Sequence, residues 1–437
     1  MPAASMPTAT DRLEPAPHLV TLETLFGGFG VFACMLIFTG VLKSLPGVAT
    51  APIDITPVLL GLTLLHLAFA LASHRIALPP TVPLLFLLQA TFAVLAIISA
   101  GVSPGRDIVQ DKLRDMVLVA PVMMAIGAAV SADATAFRRF LLTAKVLGPA
   151  MGGFIAAAFA LGLVNVIVQF GGRGNVQTQR VQYQLANLLI ALAASAYAIA
   201  SMRTRGPTRL FNAGMTALLA FAALIPGGRS GFIGLCLTVV VTPCLYLWHR
   251  GRRRLALGLA AGLAGLLALG IAALFASAQF TSGLRTVERL TQGDSDGGGR
   301  MTLWQAAFAL VDGNGFWGVG FGGYTPAAGW GVTREYYPHN LFIEAMAELG
   351  LPGFLLFVAI WATAGFGWLR ASLRLGTDAK GAEQWAATAG FGLIMLIYIS
   401  VSTDLGNPLM WFALGVLAGC GGASSSRWPR QRPLPAS

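Results

Sequence analysis

Apolar runs of roughly 20 residues follow one another along most of the chain, divided by short polar turns rich in Gly, Pro and Arg. Alternation with a period of two is nowhere sustained, so the pattern predicts a helical bundle and not a β-barrel. Twelve spans are expected, at 26–42, 56–73, 82–101, 113–130, 145–168, 184–202, 210–226, 230–248, 255–276, 351–369, 386–403 and 408–422. Their connections are short except one, residues 277–350, which is far too long for a turn. The expected plan is an N-terminal tail over 1–25, nine spans within 26–276 and the long loop over 277–350. Three further spans within 351–422 and a basic tail over 423–437 complete it.

Composition sharpens this plan. The chain is 56% hydrophobic and only 11% charged, with mean hydropathy +0.71. So few charges cannot cover a water-facing surface, which makes an all-α polytopic membrane protein the expected class. The net charge of +11 raises nucleic acid as a partner, but the cations are scattered between apolar runs. Topology and anionic membrane lipids account for them better, and no nucleic-acid partner is expected. Cys34, Cys236, Cys244 and Cys420 fall in apolar segments and read as small buried hydrophobes. The first 20 residues are Pro-rich and lack a basic start before an apolar core, so no cleaved signal peptide is expected.

Charge distribution orients the spans. With the N-terminus inside, 18 of the 29 Lys and Arg residues fall on the cytoplasmic side, including the runs "RTRGPTR", "HRGRRR" and "RWPRQR". The exceptions are informative. Those in the 102–112 connection have Asp107, Asp111 and Asp115 as neighbours and predict a solvated, self-neutralised face. Arg229, in "IPGGRSGF", has no acidic neighbour in sequence. It reads either as a functional cation or as one snorkelling to lipid phosphates.

The long external loop holds the remaining candidates. Residues 281–292 read as a first helix, 293–299 as a Gly/Asp hinge, and an amphipathic helix starts near Arg300. "GNGFWGVGFGGYTP" lacks the lysine and context of a phosphate loop; it reads as a lip over a cavity or as simple loop packing. Next comes "YYPHNLFIEAMAELGLPG", where Pro338 marks a break and Gly350 and Pro352 supply helix-stop chemistry. His339 and Asn340 are expected in the first helical turn. There a neutral imidazole can accept a proton, or either side chain can simply cap the helix. An external histidine beside arginines, without an acidic pair suited to a metal, suits proton abstraction from a nucleophile while a phosphate leaving group is neutralised. No metal site and no cofactor are expected.

These motifs resemble the bacterial O-antigen ligase and polymerase superfamily. The resemblance rests on "HNLFIEAMAELGLPG" (His339, Asn340, Glu348, Gly350, Gly353), "GGRSGF" around Arg229 and "GGGRMTLW" around Arg300, and covers roughly residues 170–420. It implies an all-helical, GT-C-like membrane glycosyltransferase of about 12 transmembrane helices, with one large periplasmic loop containing short helices. The implied reaction moves a glycan from undecaprenyl diphosphate to a sugar hydroxyl of lipid A–core, at the outer face of the inner membrane. In that setting His339 is the implied base, Arg229 and Arg300 hold the donor diphosphate, and Arg180 is a further cation. Asn340, Glu348 and Asp404 take supporting parts, Glu348 by fixing the loop to an arginine and Asp404 by orienting an arginine or starting the last helix. An O-antigen polymerase, a protein O-oligosaccharyltransferase and a membrane transporter are the competing expectations.

Overall fold

The computed structural model describes residues 28–43, 45, 48, 51–72, 76–161, 183–276, 295–314, 316–332 and 336–422. Both predicted tails, 1–25 and 423–437, lie outside these residues. The N-terminal part holds α1 (Phe29–Ile37), α2 (Thr39–Leu42), α3 (Ile55–Ala72) and α4 (Thr81–Ala100). Next come α5 (Arg106–Arg114) and α6 (Ala120–Ala132), joined into one rod by a π turn at Asp115–Val119, then α7 (Ala134–Ala160). The π turn widens the backbone ladder, and Gln89 of α4 donates to the Met116 carbonyl there, at 3.0 Å.

The central part comprises α8 (Tyr183–Arg203), α9 (Gly206–Ala222), α10 (Arg229–His249) and α11 (Arg253–Ala276). The last part holds α12 (Ser295–Asn314), the single turn α13 (Tyr324–Ala327), α14 (Leu341–Ala371), α15 (Ala379–Val401) and α16 (Pro408–Gly419). Among the described residues there is no strand, and nine helices are long and apolar enough to cross a membrane. The spans expected at 26–42, 210–226 and 408–422 fall on shorter helices: the broken α1–α2, the 17-residue α9 and the 12-residue α16. The chain is therefore a helical, multi-pass membrane protein.

Small residues let the central helices touch. A Cβ on Gly127 of α6 would stand 2.0 Å from the Phe412 carbonyl oxygen, and one on Gly415 of α16 would stand 2.1 Å from that of Met124. In lipid no hydrophobic force draws helices together, so such close backbone approach carries the packing. Short α16 sits deep in the bundle on this contact, with Trp411 and Phe412 fully buried.

One detail of the long loop differs from expectation and another agrees with it. Residues 295–299, expected in the hinge, already belong to α12. Extending an established helix adds one hydrogen bond per residue fixed, which outweighs the modest glycine penalty. At Gly350 the expected helix stop does occur: φ is 65° and ψ −163°, and α14 bends into two segments, Leu341–Leu349 and Leu351–Ala371. The Leu351 N–H, freed by the bend, donates to the Phe316 carbonyl at 3.0 Å.

Helices α8, α10 and α15 run so that Asn187, Arg229 and Ser402 share one end of the bundle. Arg203, His249 and Glu383 share the other.

Candidate functional site

The segment leading to His339 is fixed before its helix begins. The Pro338 carbonyl accepts from the Trp304 indole at 2.7 Å, and the Tyr336 carbonyl accepts from the Thr325 hydroxyl at 3.0 Å. The Tyr337 hydroxyl donates to the Ser402 carbonyl at 3.3 Å. Burial pushes the Tyr337 phenol up, aided by the charges of Tyr398, Asp404 and Glu344 and opposed by Arg300, so it remains a donor.

His339 then adopts φ 54°, the one non-glycine residue among those described with positive φ. Asparagine, aspartate and histidine tolerate this region best. Asn340 caps α14, its side-chain oxygen accepting from Phe342 N at 3.0 Å and Ile343 N at 3.2 Å. The expectation that both residues lie in the first turn is thus corrected. The short Asn340 amide takes the capping position, and His339 leaves the helical path one residue earlier. The half-buried imidazole lies against the Tyr337 ring, with centroids 4.1 Å apart.

Arg229 opens α10 after a buried turn over 223–228 in which Gly227 has φ 88°. The turn is held by Asn187 of α8, whose Nδ2 donates to the carbonyls of Ala223 (3.2 Å) and Gly228 (3.0 Å). Next to Arg229, Ser230 pairs its hydroxyl with that of Ser402 at 3.0 Å. The arginine turn therefore meets the α15–α16 turn, which carries Asp404 and which Tyr337 also contacts. Arg300 lies half-buried on α12, one helical turn before Trp304, and its charge acts on Tyr337.

Asp404 does not start the last helix: Asn407 caps α16, accepting from Leu409 N at 2.9 Å and Met410 N at 3.2 Å. Asp404 lies near enough to Lys112 and Glu344 for its charge to act on both. Behind it is a buried ion cluster. Lys112 Nζ donates to Glu344 Oε1 at 2.5 Å and to Glu348 Oε1 and Oε2 at 2.8 and 2.7 Å. The three side chains are 3%, 0% and 3% exposed. Glu348 thus fixes the loop as expected in kind, since it also accepts from Gly322 N at 2.9 Å, but its cation is a lysine and not an arginine.

The solvated face expected for the 102–112 connection extends to the adjacent Arg114, which pairs with Asp111 (3.6 Å) and Asp115 (3.4 Å) at 60% exposure. It fails for Lys112. The sequence signal for this was available: Ile108, Lys112 and Met116 stand four residues apart on one stripe, and all three are buried. Glu344 and Glu348 show the same spacing on α14 and were likewise legible as a pair. Asn187 had no such signal.

The Gly-rich loop packs tightly between α14 and the end of α4. Val319 N and Gly320 N donate to the Ala347 and Glu348 carbonyls at 3.0 and 2.9 Å, closing the first segment of α14. At Gly320 (φ 94°) a Cβ would stand 2.7 Å from Ser103 Cα, so the packing reading of this loop applies. His66 Nδ1 donates within its own helix to the Leu62 carbonyl at 2.8 Å, and the ring packs on Phe32, as a core residue would. Among the described residues no group of three His, Cys, Asp or Glu is placed to hold a metal. Arg180 lies outside the described residues, as do Arg285, Arg289 and Arg334.

The helical bundle defines a multi-pass membrane protein, with a polar cluster gathered at one of its ends. Residues 214–358 match the family model described as O-antigen ligase, so the resemblance to that family holds over the segment carrying Arg229, Arg300 and His339. The family comprises membrane glycosyltransferase-like ligases and polymerases. No curated protein matches the chain.

Proposed function

We propose that the protein is an O-antigen ligase of the inner membrane, acting at the periplasmic face with both termini in the cytoplasm. It transfers a glycan from undecaprenyl diphosphate to a sugar hydroxyl of lipid A–core. His339 takes the proton of the acceptor hydroxyl as its oxygen bonds to the anomeric carbon of the donor. The bond from that carbon to the diphosphate oxygen breaks, its electron pair leaves on the diphosphate, and the configuration inverts. Arg229 and Arg300, with Arg180, neutralise the departing charge, and rigid guanidinium forks suit that task without a metal. Asn340 presents His339 by capping its helix, and Asp404 and Glu348 support the surrounding turns.

The observation that carries this reading is convergence. The segment leading to His339 is hydrogen-bonded to α12, which holds Arg300, and to the turn that Ser230 joins to Arg229. All three residues fall within the matched segment.

The test is transfer of a lipid-linked glycan to purified lipid A–core, with EDTA present, by wild type and His339→Ala. General-base catalysis is worth about 10²–10⁴-fold, so the folded variant is expected to lose that much rate. Lengthened lipid-linked glycan as the product identifies a polymerase instead. Transfer unaffected by His339→Ala removes the base assignment, and inhibition by EDTA removes the metal-independent mechanism.

A further inference from the structure

The proposed reaction leaves one strongly built cluster unused. Lys112 stands at the meeting point of four segments: its own α5, the first segment of α14, the Gly-rich loop and the turn before α16. Its ammonium has three protons, and it meets three carboxylate oxygens. The free faces of those carboxylates then reach further. Glu344 Oε2 accepts from Leu405 N at 3.2 Å, and Glu348 Oε2 accepts from Gly322 N at 2.9 Å. The Phe321 ring covers the ammonium, its centroid 5.2 Å from Nζ. With its donors engaged and 3% exposure, Lys112 cannot touch a substrate.

The helix segment it holds is Leu341–Leu349, the one that His339 and Asn340 introduce. Nine residues form a marginal helix in isolation, so its position is set by what grips it. Glu344 and Glu348 are one turn apart on a single face. Two contacts on one ammonium therefore set both the rotation of the segment and its height along its axis. Through Glu344 and Leu405, the same ammonium also sets the neighbouring Asp404. His339 and the 402–405 turn are thus referenced to one buried charge, although they lie on different parts of the chain.

We propose that Lys112 is a positioning residue for the transfer reaction, holding His339 and the Asp404 turn in register through Glu344 and Glu348. The inference rests on the function proposed above. It assigns Lys112 an effect on the chemical step and not on donor capture, because Arg229 and Arg300 lie on other helices.

The test uses the full-length protein in proteoliposomes, with undecaprenyl-diphosphate-linked glycan and lipid A–core. Wild type is compared with Lys112→Met and with the triple variant Lys112→Met, Glu344→Gln, Glu348→Gln, which leaves no unpaired buried charge. The triple variant is expected to recover the unfolding temperature lost in Lys112→Met. Its kcat should nevertheless stay about 100-fold low, the scale of a misplacement of about 1 Å, with donor KM unchanged. Hydrogen exchange should rise in 316–323, 336–349 and 402–407 and nowhere else. A triple variant with wild-type kcat, or one whose kcat recovers in step with its stability, overturns the inference. If the triple variant does not fold, Lys112→Arg, which keeps the charge but moves it, carries the same split. Lowered kcat at unchanged donor KM supports the proposal, and wild-type kcat overturns it. A wild type that transfers no glycan to any acceptor overturns the functional reading itself, and with it this inference.

Discussion

The two ends of the bundle handle charge in opposite ways. At the His339 end, Lys112, Glu344 and Glu348 are almost wholly buried, and the two carboxylates also accept from backbone amides of two other segments. At the far end, Arg203 pairs with Glu383 while both stay about a fifth to a quarter exposed, at 21% and 24%. Aromatic rings do the remaining work there. Lys145 Nζ sits 4.3 Å from the Tyr197 centroid, and His249 stacks on Trp385 at 5.1 Å. Trp385 in turn stacks on Trp368 at 4.7 Å, and each indole N–H donates to the other's backbone carbonyl. Solvent can compensate a lost partner at the far end. At the His339 end a lost partner leaves a bare charge, so geometry is enforced there and only favoured at the other.

Three substitutions probe this contrast. Removing one partner of a buried ion cluster typically costs about 3–5 kcal/mol, so Lys112→Met should lower the thermal unfolding temperature more than any other single change considered. A shift no larger than that of an exposed lysine would show that the buried cluster is not under electrostatic constraint. Asn340→Ala should cost about 1 kcal/mol, the worth of a helix cap, with faster hydrogen exchange at Phe342 and Ile343. Unchanged exchange at those two amides would mean that the short segment is held without its cap. Arg203→Met should cost about 0–1 kcal/mol, as for partly solvated pairs. If it destabilised the protein as much as Lys112→Met in the same detergent, the distinction between the ends would collapse.

The parts legible in sequence are those with local causes. Membrane helices follow from runs of apolar residues, and Gly350 with Pro352 marked the break that α14 shows. Arg229 stood out because a charge beside an apolar span is costly without a purpose, and His339 and Arg300 because each marks a helix start in the long loop. Lys112 was misread because its sequence neighbours are acids. Asp111 and Asp115 point to the solvated side with Arg114, whereas Lys112 shares a stripe with Ile108 and Met116. Its true partners are more than 200 positions away in sequence, at Glu344 and Glu348.

By itself, then, the sequence determined a helical membrane protein, the approximate place of its spans and the residues able to carry acid–base and anion chemistry. These depend on transfer free energy and side-chain type, which each residue brings with it. The tertiary structure alone decided that Asn340 and not His339 caps the helix, that Asn187 holds the Arg229 turn, and that a lysine from α5 anchors the His339 segment. Those outcomes depend on which donors and acceptors meet after the helices pack. No local pattern encodes that pairing, because burial makes each polar group take whichever partner the fold brings within reach.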